Sequence, residues 1–125
     1  MTARLVLIRG LPGSGKSTIA KMLDGFVHLE ADMFFTKEDG EYIYEREKIK
    51  EAHEWCQAQA LIHLSQGGSV VISNTFTRHS EMAPYIEIAD ALGIKPSVIV
   101  ATGRFKNVHS VPDEVVAKMR DRWEA

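Results

Sequence analysis

The chain has 125 residues, 45% of them hydrophobic and 26% charged, which suits one globular domain able to bury a core without covalent staples. Its single cysteine, Cys56, excludes an intramolecular disulfide, and no signal segment or membrane-length apolar run is read, so the cytoplasm is the expected compartment and no membrane partner is expected. A net charge of −2 argues against a constitutive basic coat on duplex nucleic acid, while leaving room for a local cationic cluster at a strand end.

Residues 3–9 form a short apolar, β-branched run ended by Gly10 and read as a buried strand. Residues 17–23 follow with helical spacing, Ile19, Ala20 and Leu23 on one face, until Gly25 stops them. A second strand is expected at 26–29. Residues 31–44 are polar, aromatic and glycine-punctuated, and read as an irregular connection. The longest helical pattern runs over 45–65, with Ile49, Ala52, Cys56 and Ala60 in register, and Gln66-Gly67-Gly68 ends it. Residues 69–73 read as a third strand. Ser80 is the expected N-cap of a helix to Leu92, with Gly93 as its stop and Pro84 tolerated if the helix starts a residue or two late. A fourth strand is expected within 95–101, and Pro112 opens a last helix with Val115, Val116 and Met119 turned inward. Strands alternating with helices imply right-handed crossovers, hence a three-layer α/β domain with a parallel sheet of about four strands. Ligands of such sheets bind beyond the carboxyl ends of the strands.

The run Gly10-Leu11-Pro12-Gly13-Ser14-Gly15-Lys16-Ser17 lies between a predicted strand and a predicted helix. That spacing and context describe a phosphate-binding loop and the P-loop NTPase fold. Gly10, Gly13 and Gly15 let successive backbone N–H groups turn toward phosphate oxygens, with Pro12, Ser14 and Thr18 completing the lining. Lys16 brings a point charge to the β- and γ-phosphates, and the Ser17 hydroxyl is the expected ligand of Mg²⁺. ATP and Mg²⁺ are therefore the expected cofactors.

Three further clusters bear on the acceptor. Glu30-Ala31-Asp32 follows the second strand, where Asp32 can take a proton from a substrate hydroxyl; Glu30, on the same face by strand alternation, either orients Asp32 or serves Mg²⁺. Solvated loop carboxylates are the plain alternative. Asn74 stands where many P-loop enzymes carry a metal-holding Asp, and Asn74, Thr75 and Arg78 are candidate acceptor contacts. Arg104 and Lys106 lie in a basic segment that can close over the γ-phosphate, while His109 reads as a structural hydrogen-bonding residue. Phe34, Phe35, Tyr42 and Tyr44 either stack on an acceptor or close the edge of the core. Trp55 and Cys56 read as packing residues.

Together these segments resemble the 5′-hydroxyl polynucleotide kinase branch of P-loop kinases. The resemblance rests on G-L-P-G-S-G-K-S, L-E-A-D-M-F-F, A-H-E-W, I-S-N-T and N-V-H-S-V-P, in that order along nearly the whole chain. It implies ATP-dependent phosphoryl transfer to a single-stranded nucleic acid 5′ end, with Asp32 as general base and the lid cation at Lys106. The chain departs from the pattern at that lysine, where the family has arginine. It departs also at Phe35, where the phage enzymes hold an arginine for the acceptor phosphate, and at Asn74. The nucleotide half of the pattern is intact and the acceptor half is altered. A metabolite kinase and a nucleotide-binding module without acceptor are the competing expectations, and oligomeric state is not fixed by these residues.

Overall fold

A computed structural model describes residues 3–103 and 111–125. Four parallel strands form one sheet in the order β2-β3-β1-β4, where β1 is Leu5–Arg9, β2 Phe26–Leu29, β3 Ser69–Asn74 and β4 Ser97–Val100. Four α-helices accompany them among the described residues: α1 Lys16–Lys21, α2 Ile49–Ser65, α3 His79–Ala91 and α4 Asp113–Asp121. The register pairs Arg9 with Asn74 and with Val100, so the strand ends align along one edge.

Alternation along the strands divides the core into two layers. Leu5 and Leu7 of β1, with Val70 and Ile72 of β3, pack on the face covered by Ala52, Cys56, Ala60 and Leu64 of α2 and by Met82, Tyr85 and Ala89 of α3. Ile8 and Val71 point the other way and pack with Ala20 of α1, Phe26 and Ala101. A side chain at a strand end therefore joins either the α1 layer or the α2/α3 layer, and its parity decides which.

The expected strands and helices are all present. Three local details differ. α2 begins at Ile49 after a 3₁₀ turn at Arg46–Lys48, so the helical phase read from residue 45 starts one turn late. α3 begins at His79, not after Ser80, because Glu81 reaches back to accept from the Arg78 N–H at 2.9 Å and from the Thr77 hydroxyl at 2.6 Å. Pro84 consequently stands inside the second turn of α3. The connection 31–44 is also more ordered than expected: a 3₁₀ turn spans Ala31–Phe35, and residues 36–42 fold back through a Thr36–Tyr42 bridge. Gly40, at φ 88°, supplies the turn.

Candidate active site

The phosphate-binding loop leaves β1 at Gly10 and enters α1 at Lys16. Gly13 and Gly15 have φ of 81° and 93°, the left-handed region that side chains with a Cβ rarely adopt, which is why the loop needs glycine there. The loop is anchored on both sides. The Gly10 N–H donates to the Thr75 carbonyl at 3.2 Å, and the Gly103 N–H donates to the Ser14 carbonyl at 2.9 Å. Lys16 folds across the loop and donates to the Leu11 carbonyl at 3.0 Å. Burial lowers its proton affinity, and the charges of Glu30 and Asp32 act against that. Pro12 and Ser17 are half-buried and Thr18 is exposed on the first turn of α1.

Glu30 is the best-connected acid near the loop. One carboxylate oxygen accepts from the Ser17 hydroxyl, from the Ser73 hydroxyl at 2.8 Å, and faces His28 Nε2 at 3.1 Å. His28 Nε2 also lies 2.6 Å from Ser73 Oγ. Burial alone pushes the Glu30 carboxyl up, but hydrogen bonds from His28, Ser17 and Ser73 together bring it down to about 2. His28, Glu30 and Ser73 all share the α1 face by parity, so the sheet delivers them to one point beside Ser17. His28 and Ser73 escape the sequence reading; the alternation His28–Glu30 was the available signal.

Asp32 lies in the 3₁₀ turn that begins at Ala31, so strand alternation ends before it and it does not share Glu30's partners. The Tyr42 hydroxyl donates to Asp32 Oδ1 at 3.1 Å, carried there by the fold-back of residues 36–42. Burial, the Asp32 charge and this hydrogen bond push the Tyr42 phenol up to about 12. The tyrosine thus stays a neutral donor to the carboxylate at physiological pH. Phe35 is buried and meets Phe34, Tyr42 and Tyr44 edge-to-face, with ring centroids 5.5, 6.4 and 5.2 Å apart. Phe34 and Phe35 close the edge of the core, whereas Tyr42 and Tyr44 remain exposed.

The structure puts Asn74 on the other face. Its Oδ1 accepts from the Ala31 N–H at 3.0 Å, and its amide lies beside Cys56 and Tyr85 in the α2/α3 layer. Ser73, one residue earlier, is the β3 residue on the α1 face, where it shares the Glu30 carboxylate with Ser17. Thr75 is half-buried and contributes its carbonyl to Gly10, and Arg78 is exposed at the start of α3. Phe76 between them holds a left-handed φ of 45° while fully buried against Tyr85. Arg9 secures that bend: its Nε donates to the Phe76 carbonyl at 3.0 Å, and its guanidinium stacks 4.1 Å from the Trp123 ring. Arg104 and Lys106, the expected lid cations, and His109 lie outside the described residues.

Hard oxygen donors from Ser17 and Glu30, beside a lysine and a glycine-turned loop, fit a phosphate chain with a divalent cation. The model of a family described as "AAA domain" matches residues 5–125. The chain belongs to that family. Its parallel sheet and helices form a P-loop kinase-like fold. NEDD4-binding protein 2 of Homo sapiens is 30% identical over 96% of this chain, which spans only 8% of that protein. A chain of the Pnkp1/Rnl/Hen1 complex superposes with a TM-score of 0.66 at 21% identity, over 94% of this chain and 38% of that one. The APS kinase CysC of Mycobacterium tuberculosis superposes with a TM-score of 0.62 at 18% identity, covering 97% of this chain and 96% of that one. A gluconokinase from Sinorhizobium meliloti gives 0.62 at 16% identity, over 98% and 75%. No described helix is long and apolar enough to cross a membrane.

Proposed function

We propose that this domain is an ATP-dependent phosphotransferase whose acceptor is a polynucleotide 5′-hydroxyl, with Asp32 as general base. The observation that carries the reading is the pairing of a complete phosphate loop with a Tyr42-held carboxylate in the turn that follows β2, whose charge reaches Lys16. In the proposed reaction the acceptor hydroxyl gives its proton to Asp32, its oxygen bonds to the γ-phosphorus, and the bond to the β–γ bridging oxygen breaks to release ADP. Lys16 must leave the Leu11 carbonyl to meet the phosphates, a small side-chain movement. Ser17 would hold Mg²⁺, which when bound offsets phosphate charge. Arg104 or Lys106 is the lid cation of this reading, Arg104 offering the bidentate fork that lysine lacks. Thr75, which anchors the loop at Gly10, and Arg78, exposed at the start of α3, are the proposed acceptor contacts.

A nucleic acid acceptor is supported by the resemblance carried by L-E-A-D, I-S-N-T and N-V-H-S-V-P, and by the likeness to a chain of an RNA repair complex. A metabolite acceptor is favoured by one specific feature: Phe35 is buried and uncharged where the phage enzymes use arginine, and small-molecule kinases are among the structural neighbours. Transfer of labelled γ-phosphate from ATP to a short single strand with a 5′-OH tests the two, with Lys16→Ala as control. Label on the strand, lost in Lys16→Ala and reduced by at least about a hundredfold in Asp32→Asn, is the expected result. Nucleotide binding without any labelled strand would sink the polynucleotide reading and leave the metabolite one.

A further inference from the structure

β2 ends before Asp32, which lies in the 3₁₀ turn Ala31–Phe35. The strand register that brings His28 and Glu30 to their partners therefore does not set the direction of this carboxylate. A hydrogen bond reaches it from ten residues further along the chain: the Tyr42 hydroxyl donates to Asp32 Oδ1 at 3.1 Å. The structure assigns Tyr42 a part in phosphoryl transfer, as a positioning residue that turns the Asp32 carboxylate toward the acceptor hydroxyl. The inference rests on the reading of Asp32 as general base and adds the group that orients it.

Three observations carry it. The backbone is folded to deliver the phenol: Thr36 and Tyr42 form an antiparallel bridge, the Lys37 N–H donates to the Glu41 carbonyl at 2.7 Å, and the Ile43 N–H donates to the Phe35 carbonyl at 3.0 Å. Gly40 turns this segment at φ 88°, and a Cβ there would meet nothing within 4 Å, so the backbone angle alone calls for glycine. Next, the Tyr42 ring meets buried Phe35 edge-to-face, with centroids 6.4 Å apart, and Phe35 belongs to the same turn as Asp32. Donor and carboxylate are thus mounted on one local unit. Finally, burial, the Asp32 charge and the hydrogen bond push the phenol up to about 12, so Tyr42 keeps its own proton while Asp32 receives the acceptor's. The charge of Asp32 reaches Lys16, so an unrestrained carboxylate would be drawn toward the phosphate-loop lysine, and a donor on Oδ1 opposes that swing. Misplacing a reacting group by about 1 Å can cost about a hundredfold in rate, and losing one orienting hydrogen bond is expected to cost about tenfold.

The test is steady-state transfer of labelled γ-phosphate to a short 5′-OH strand by the wild type, Tyr42→Phe, Asp32→Asn and the double variant, with the melting of each protein recorded. Tyr42→Phe keeps the ring against Phe35 and removes only the donor. It should lower kcat about tenfold and leave the KM for ATP within about twofold of wild type. In the Asp32→Asn background it should cost nothing further, because no base remains to orient. A Tyr42→Phe enzyme with wild-type kcat, beside an Asp32→Asn enzyme that has lost about a hundredfold, overturns the inference and leaves the proposed base standing. An added loss in the double variant also overturns it, since Tyr42 would then act on something other than Asp32. A loss confined to KM would make Tyr42 a binding contact, and a Tyr42→Phe protein without a cooperative melt would make its hydroxyl part of the fold; either result overturns the positioning role. A wild type that labels no strand, or an Asp32→Asn enzyme as fast as wild type, overturns the proposed function itself, and this inference with it.

Discussion

Asn74→Ala separates two roles for a residue that the sequence places at the metal and the structure places in the α2/α3 layer. Its Oδ1 is the acceptor for the Ala31 N–H at 3.0 Å, and Ala31 is buried. Alanine removes that hydrogen bond and leaves the N–H without a protein acceptor where water has little access. An orphaned buried donor costs about 1–3 kcal/mol, so a central loss of about 2 kcal/mol is expected. For a domain of this size about 1 kcal/mol moves the melting temperature by roughly 4 °C, giving a fall of roughly 8 °C. Asn74→Asp is the informative partner. It keeps an acceptor for Ala31, and its second oxygen would meet Cys56 and the Tyr85 hydroxyl, a buried donor with no hydrogen-bond partner among the described residues. It should therefore retain more than half of the lost stability. Calorimetric melting of the three proteins, together with ADP titration in Mg²⁺, provides the comparison. An Asn74→Ala protein that melts within about 2 °C of wild type but binds ADP–Mg²⁺ poorly would refute the structural role and return Asn74 to the metal.

Glu30 sets an acid limit on stability in the metal-free protein: its carboxyl is lowered from 4.5 to about 2 in the folded state, so its contribution is present above pH 4.5 and lost as the pH falls toward 2. Urea unfolding in chelator should show the wild type losing about 2 kcal/mol more than Glu30→Gln between pH 7 and pH 3; parallel pH profiles would contradict the hydrogen-bonded carboxylate. Cys56 is fully buried and burial raises its thiol, so a thiol reagent at pH 8 should leave it unmodified in the native protein and modify it in urea; fast native labelling would show the α2 layer to be open. Arg9→Met should cost about 2–3 kcal/mol by leaving the Phe76 and Glu124 carbonyls without the Arg9 donor, and should speed proteolysis within residues 122–125. Unchanged melting and proteolysis would remove Arg9 as the clamp on that segment.

The fold was open to reading because its signals are repeated. β1, β3 and β4 are short β-branched runs, β1 closed by Gly10, and α2 and α3 end at Gly67 and Gly93, whose φ of 86° and 70° are the left-handed stops expected of them. What the chain concealed were starts that depend on side chains from elsewhere in the local sequence. Ser80 looks like a better cap than Arg78, yet Glu81 supplies the capping oxygen from three residues downstream, and the helix begins earlier. The fold-back of residues 36–42 likewise has only a Thr36–Tyr42 bridge and Gly40 to announce it.

In the site, legibility fails at the level of one residue of strand phase. The phosphate loop is dictated by glycines whose backbone conformation admits little else, so its position and residues are readable. Neighbouring groups depend on which face of the sheet a strand end presents. Ser73 and Asn74 are consecutive, and nothing in I-S-N-T alone says which one shares Glu30 with Ser17. The parity comes from burial further back along β3, where Val71 packs with α1 and Ile72 packs with α2 and α3. Glu30 and Asp32 show the converse. Alternation places both on one face, but the 3₁₀ turn at Ala31 ends the strand between them, sending Glu30 to Ser17 and Asp32 to Tyr42. Two acids two residues apart can thus hold separate duties because the backbone changes conformation between them. The division is physical: the acid still in strand geometry is fixed by three polar neighbours, while the acid inside the turn takes a tyrosine donor.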